Sequence, residues 1–508
     1  MTGSVRRIHD ADVRESAMTM MTQARAAARA GAFLALGVFC LVPTVHAQVN
    51  DTSVDLIVRD VTVIDVTDGK RLPHRDLVVD DGRIVAIVAT GDARVGKVRE
   101  TVEGRGLFAI PGLWDMHVHF GGGAALIEEN RALLPLYVAH GITGVRDAAG
   151  DLSDSVLAWR EAVAAGRELG PRIFTSGPKI EGKDSIWPGD LEVEDEAGLD
   201  AALDSLVARQ VDFIKITDNT LSPSLFMSAL EKVHARGQVS SAHIPMAVSV
   251  ADASAAGLGS IEHIAYAYKA GAPDEAALSR AFAAGTLDAR AVWAGAEATF
   301  TPDRARAAYR RLAANGTAVT PTLNGSRVVA YLDEDDHADD DYLQYIGPGL
   351  QATYAWRVQR AAKDDAAAIA LRHARFERQA GILPLLQSAG VRILAGTDAG
   401  FLNSFNYPGV GLHDELDLFV RYGLTPLQTL QAATINGARF LGHDDTHGTL
   451  APGKAADIVL LRADPVADIK AVRAIDTVIL RGKAYDRAAL DAMLTDVRTR
   501  VAAMQTAP

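Results

Sequence analysis

Between residues 109 and 395 the chain alternates short apolar stretches with longer alanine-rich stretches of helical period, and few architectures accept that rhythm. Strands are predicted at 109–115, 144–146, 172–175, 213–216, 239–242, 260–262, 318–322 and 392–395. Strands this short and apolar, separated by helices, belong in a parallel sheet, and eight of them predict an α/β fold built on a (β/α)8 TIM-like barrel over 111–445. A different texture brackets this region. Runs rich in β-branched residues at 56–58, 61–64, 77–79 and 84–87, separated by Asp-Gly turns, return at 456–461 and 478–483. Both chain ends, 48–110 and 446–508, are therefore expected to build one small β-sandwich. The stretch 324–375 is too long for an ordinary connection and is expected to form a helical lid or wall over the barrel mouth.

The first 47 residues read differently. Arg25 and Arg29 precede an apolar run, 32–42, which ends at Pro43 and the small-residue pattern Val45-His46-Ala47 before Gln48. This is the pattern of a secretory signal peptide, 1–47, and the run is shorter than the about 20 residues a spanning helix needs. A periplasmic or secreted protein beginning near Gln48 is the expectation, with no stable membrane anchor. The only cysteine, Cys40, lies within this run, so thiolate metal sites, cysteine nucleophiles and disulfides are not expected in the exported body. Any metal must be held by histidine, carboxylate or a modified lysine. The formal net charge of −13, with no basic block, argues against nucleic-acid and anionic-membrane partners.

Polar residues interrupt or end the apolar strands in a telling order. His117 and His119, two apart at the end of the first barrel strand, point the same way and can share one cation. Lys215 lies in Phe213-Ile214-Lys215-Ile216, His243 follows Ser240-Ser241-Ala242, His263 follows Ile261-Glu262, and Asp398 closes Ala395-Gly396-Thr397-Asp398. Barrels build active sites at this end of their strands. A buried lysine at such a place is costly unless paired, with Asp398 for instance, or chemically altered.

The set resembles the amidohydrolase superfamily, and within it the imidazolonepropionase-like group with its Xaa-Pro dipeptidase-like members. The resemblance rests on Pro111-Gly112-Leu113-Trp114-Asp115-Met116-His117-Val118-His119, Gly141-Ile142-Thr143-Gly144-Val145-Arg146-Asp147 and Gly396-Thr397-Asp398. It continues through Ala432-Ala433-Thr434-Ile435-Asn436-Gly437-Ala438 into the stretch from Gly448 to Val459. By that resemblance, His117, His119 and Asp398 hold one divalent metal and His243 and His263 a second, while Lys215, carboxylated by carbon dioxide, bridges them. Zinc is the default for such ligands. The resemblance also implies that a metal-bridging hydroxide, available because two cations lower the pKa of a shared water towards about 7, attacks a carbonyl while Asp398 relays the proton to the leaving nitrogen.

These features together predict an exported binuclear metal-dependent amidohydrolase cleaving an amide C–N bond in a small peptide, N-acyl amino acid or related compound. A cyclic amide, lactone or ester hydrolase on the same site remains an alternative, as does a catalytically silent metal-stabilised scaffold. In the dipeptidase-like relatives an aromatic or polar residue soon after the fifth-strand histidine helps hold the substrate carboxylate. His243-Ile244-Pro245-Met246 supplies neither, which argues against a strict Xaa-Pro dipeptidase. Tyr266, Lys269, Lys179 and Trp187, on the third and sixth loops, are the expected substrate contacts. Arg146 and Asp147 are expected to brace the site. Nothing in the pattern opposes a homo-oligomer.

Overall fold

The computed structural model describes residues 53–92 and 95–505, so the predicted signal peptide lies outside the described residues. Among those described, no helix is long and apolar enough to cross a membrane. The fold is α/β and TIM-barrel-like, with a mixed-sheet domain beside it.

Both chain ends do share one sheet, of eight strands. Val54–Ile64 pairs antiparallel with Arg71–Asp80 and parallel with both Val98–Glu103 and Phe108–Pro111. The returning strand Ile458–Leu461 docks antiparallel between Phe108–Pro111 and Ile475–Leu480. Its alternation places Ile458 and Leu460 with Leu56, Val58, Leu77 and Val79 in one apolar core. The final stretch departs from the expected sandwich. Arg487–Gln505 is a helix that buries Leu490, Met493, Val497 and Val501, a period of three to four that no strand could bury on one side.

The predicted first barrel strand is two strands. Phe108–Pro111 belongs to the mixed sheet and Leu113–His119 to the barrel-like part. The chain changes sheet at Gly112, where a Cβ would lie 2.1 Å from Thr143 Oγ1, so only glycine fits. Beyond it run two arcs of parallel strands. One is ordered Ala399–Gly400, Leu113–His119, Ile142–Asp147, Arg172–Thr175. The other is ordered Leu191–Val193, Ile180–Gly182, Ile214–Ile216, Ser240–Ala242, Ser260–Glu262, Ala318–Thr320.

A few hydrogen bonds, without a continuous ladder, link the arcs at both gaps. Asp212 N donates to Thr175 O at 2.9 Å. On the other side the predicted strand 392–395 forms only one parallel bridge, Ile393 to Val319, with Leu394 N donating to Val319 O and Met116 N to Ala395 O. It lies between two strands but makes too few bonds with either to count as one. Three helices, Leu323–Ala330, Pro348–Ala361 and Ala366–Ala380, occupy most of the segment expected to be a helical wall.

Candidate metal centre

Five of the six residues singled out as ligands lie within or just beyond a parallel strand, and Asp398 stands just before one. His117 and His119 end Leu113–His119, Lys215 is central in Ile214–Ile216, His243 and His263 follow Ser240–Ala242 and Ser260–Glu262, and Asp398 precedes Ala399–Gly400. His263 (φ 72°) and Asp398 (φ 66°) adopt left-handed backbone, as does Thr322 (φ 50°), whose Oγ1 lies 2.7 Å from His263 Nδ1. Strain of this kind, on the order of 1–3 kcal/mol per residue, persists only where the surroundings impose it. Gly396 shows how closely they do. A Cβ there would lie 2.9 Å from both N and Cβ of His117, so the backbone carrying Asp398 presses directly against the histidine strand.

His119 Nδ1 lies 2.6 Å from Ala149 O, and a carbonyl only accepts, so that nitrogen carries the proton. His117 Nδ1 lies 2.6 Å from Glu262 Oε2 and donates to it in the same way. Burial lowers the His117 pKa to about 3, so its imidazole is neutral. The two Nε2 atoms lie 3.1 Å apart, and whenever neither carries a proton they present lone pairs to each other. Asp398 Oδ1, another acceptor, lies 3.0 Å from His119 Nε2 and 3.4 Å from His117 Nε2. Burial pushes the Asp398 carboxyl up, but the bond with His119 outweighs it and holds the group below its ordinary range. Without a proton on His119 Nε2 the three atoms are acceptors that repel one another, and a divalent cation in that proton's place satisfies all three.

His243 and His263 repeat the theme. Their Nε2 atoms lie 3.0 Å apart, and burial lowers both pKa values, that of His263 to about 4. Lys215 Nζ is buried without a hydrogen-bond partner, although an ammonium has three protons to place. Burial lowers its pKa to about 8, against the pull of Glu262 and Asp398, so a fraction of neutral amine exists near neutral pH. The residues present therefore fit a divalent cation at His117, His119 and Asp398, with His243, His263 and Lys215 beside it.

The surrounding bonds fix these ligands. Glu262 accepts from Arg146 Nη2 at 2.8 Å and from Ser241 Oγ at 2.6 Å besides His117. Arg146 also donates to Met116 O and Thr320 Oγ1, and Asp147 accepts from Thr175 Oγ1 at 2.8 Å, so both brace the site as expected. Glu262, Asp218, Thr322 and Arg357 carry no predicted role. A carboxylate inside a fully buried strand was the available signal for Glu262.

A cavity of about 160 Å³ opens over the candidate ligands and is lined by His119, Lys215, His243, His263 and Asp398, with Lys179, Trp187, Trp356, Arg357 and Phe401 among its walls. Trp187 is where the sequence predicts it. Lys179 lines the cavity too, but its ammonium is 2.5 Å from Asp190 Oδ1. Two expected substrate contacts are corrected. Lys269 is buried, bonded to Val248 O at 3.0 Å and paired with Glu275 at 3.2 Å, because helix Ile264–Ala270 turns it inward. Tyr266 gives its hydroxyl to Asp218 at 2.7 Å, stacks on His243 with ring centroids 6.1 Å apart, and does not line the cavity.

Residues 108–485 match the Amidohydrolase family. Among curated relatives, adenine deaminase 2 of Rhizobium meliloti is 43% identical over 79 residues, 16% of this chain and 13% of that protein. Imidazolonepropionase of Pseudomonas syringae pv. tomato is 35% identical over 97 residues, 18% of this chain and 23% of that protein. The chain thus spans less than a quarter of the length of either. Ochratoxinase of Aspergillus niger is 23% identical over 485 residues, covering 84% of this chain and 85% of its own. Two solved structures share the fold. Bottromycin amidohydrolase superposes with a TM-score of 0.69 at 24% identity, covering 88% of this chain and 90% of its own. A Xaa-Pro dipeptidase with bound methionine gives 0.60 at 21% identity, covering 85% and 99%.

Proposed function

The chain belongs to the amidohydrolase family, and on that premise we propose that it is an exported, binuclear metal-dependent hydrolase of an amide C–N bond in a small peptide, N-acyl amino acid or related compound. The observation that carries this reading is the convergence of His117 Nε2, His119 Nε2 and Asp398 Oδ1 beside a second imidazole pair and the partnerless Lys215 Nζ. In this reading His117, His119 and Asp398 hold one ion and His243 and His263 the other. Lys215, converted to a carbamate by carbon dioxide, offers an anionic oxygen to each. An ammonium cannot ligate a cation, whereas a carbamate can. The two arcs of parallel strands close into a (β/α)8 barrel, and residues 1–47 are a cleaved signal peptide.

Bound zinc supplies a hydroxide nucleophile at neutral pH and Lewis acidity towards a carbonyl. The protein supplies the rest. Asp398, ionised and on the cavity floor, takes the proton released as water attacks the carbonyl carbon. As the C–N bond breaks, Asp398 delivers that proton to the leaving nitrogen, which would otherwise depart as a poor amide anion. Glu262 and the Ala149 carbonyl keep the protons of His117 and His119 on Nδ1, leaving each Nε2 free. Helix Pro348–Ala361 narrows the cavity with Trp356 and Arg357, which suits small substrates rather than folded chains. The names of the bottromycin amidohydrolase and of the dipeptidase, the latter specifying a peptide bond, support the amide choice.

A turnover screen of the zinc-loaded mature protein tests the reading. N-acyl amino acids and dipeptides with an apolar residue are expected to be hydrolysed faster than lactones or phosphotriesters. A lactone or phosphotriester exceeding every amide by about tenfold in kcat/KM, about 1.4 kcal/mol in barrier, would overturn it.

A further inference from the structure

The cations predicted to meet a substrate are already occupied. Lys179 pairs with Asp190 and Lys269 with Glu275. Apart from Lys215 among the candidate ligands, Arg357, on helix Pro348–Ala361, is the remaining cation in the cavity wall. Its Nε donates to Leu402 O at 3.1 Å and its Nη2 to Asn403 Oδ1, which fix the guanidinium plane. Nη1 has no hydrogen-bond partner among the described residues, and the side chain keeps 24% of its surface exposed. Nη2 also lies 3.8 Å from Asp398 Oδ2, too far for a hydrogen bond but close enough to fix what can sit beside that carboxylate.

We propose that Arg357 forms the subsite for a free α-carboxylate on the amino acid that leaves, and that Trp356 and Trp187 form the wall against which that residue's aromatic side chain lies. The proposal rests on the hydrolytic reading above and names its substrate class: N-acyl amino acids or dipeptides whose leaving residue is aromatic. The spacing argues for the leaving side of the bond. Asp398 protonates the departing nitrogen, so that nitrogen lies next to Asp398. In an α-amino acid the carboxyl carbon is two bonds from the nitrogen, about 2.5 Å away. A guanidinium 3.8 Å from the proton donor is therefore within reach of a carboxylate on that amine and badly placed for one far along the acyl chain. Trp187 and Trp356 meet edge to face with centroids 6.2 Å apart, and Trp356 is the residue next to Arg357, so carboxylate and side-chain recognition share one helix turn.

The test uses the zinc-loaded full-length mature protein with a matched pair, N-acetyl-phenylalanine and N-acetyl-phenylalaninamide, following release of phenylalanine or its amide. Wild type should prefer the acid by about 10- to 100-fold in kcat/KM, the span expected for hydrogen bonds to a charged group. Arg357→Met should bring that ratio near one, and Arg357→Lys, which keeps the charge but not the fork, should give an intermediate ratio. A ratio measured within one variant cancels any partial loss of folding. Binding of phenylalanine, read by quenching of tryptophan fluorescence, should weaken at least tenfold in Arg357→Met and in Trp356→Ala. Equal turnover of acid and amide by wild type, or an acid preference unchanged in Arg357→Met, overturns the subsite. Should wild type hydrolyse neither compound, the hydrolytic reading fails for this class. The subsite is then judged on phenylalanine binding alone, and equal affinities of wild type and Arg357→Met overturn it.

Discussion

Glu262 Oε2 sits 2.6 Å from Nδ1 of His117, and both side chains are wholly buried. This contact pins the histidine tautomer from behind and leaves Nε2 facing the cavity side of the site. Glu262 is itself held by Arg146 from the neighbouring arc, and these charges keep its carboxyl well below the usual range despite burial. Glu262→Gln should lower metal affinity by about 10- to 100-fold without touching a ligand. It should also lower the Tm, because breaking a buried pair leaves Arg146 uncompensated, at a cost of about 3–5 kcal/mol. Chelator competition and calorimetry on the same variant check both.

Much of the candidate site was legible because its residues interrupt or follow apolar runs. His117, His119, Lys215, His243, His263 and Asp398 each break an apolar run, and the parallel register brings those breaks to one end. The mixed sheet was legible from β-branched texture at both termini. What was not legible depends on packing between segments distant in sequence. The lysines predicted as substrate contacts are occupied by acids that only the folded loops reveal, as with Lys269 and Glu275. Trp356 and Arg357 ride on a helix within a long connection, where no strand register announces which way a residue faces. The segment 392–395 has the composition of a strand but only one bridge, because ladder bonds depend on its neighbours.

A second pair of histidines, away from the ligands, sets a pH dependence of stability. Burial lowers the His140 pKa from 6.5 to about 4, assisted by Arg487 and Arg473, and burial with His140 and Arg473 nearby takes His413 well below its ordinary value. Their rings lie 5.6 Å apart, with His413 Nε2 2.9 Å from His140 O. The folded state resists protonation that the unfolded chain accepts. This contribution is therefore present above pH 6.5 and is lost as pH falls towards about 4. The Tm of metal-free protein should fall across that window, and less steeply in His140→Gln.

Gly400 should be intolerant of any side chain. Its φ is 112°, and a Cβ would lie 2.1 Å from His119 O. Gly400→Ala must push apart the strand carrying His119 and the loop carrying Asp398. We expect loss of bound metal and of activity together, with the mixed-sheet domain, far along the chain, retaining its near-native β signal. Metal analysis and circular dichroism read the two effects separately.

Export makes a prediction independent of the site. Protein recovered from the periplasm or medium should begin near Gln48, as read by N-terminal sequencing. Membrane-bound protein retaining residues 32–42 would contradict it.

Lys215 carries the central claim, since the second ion and the carbamate both depend on it. The most direct measurement is metal content per chain in wild type and Lys215→Ala, with and without a small carboxylic acid. The account predicts close to two ions in wild type, loss of most metal and activity in Lys215→Ala, and partial recovery of both when the acid is added. Full metal content and full activity in Lys215→Ala without added acid would contradict it.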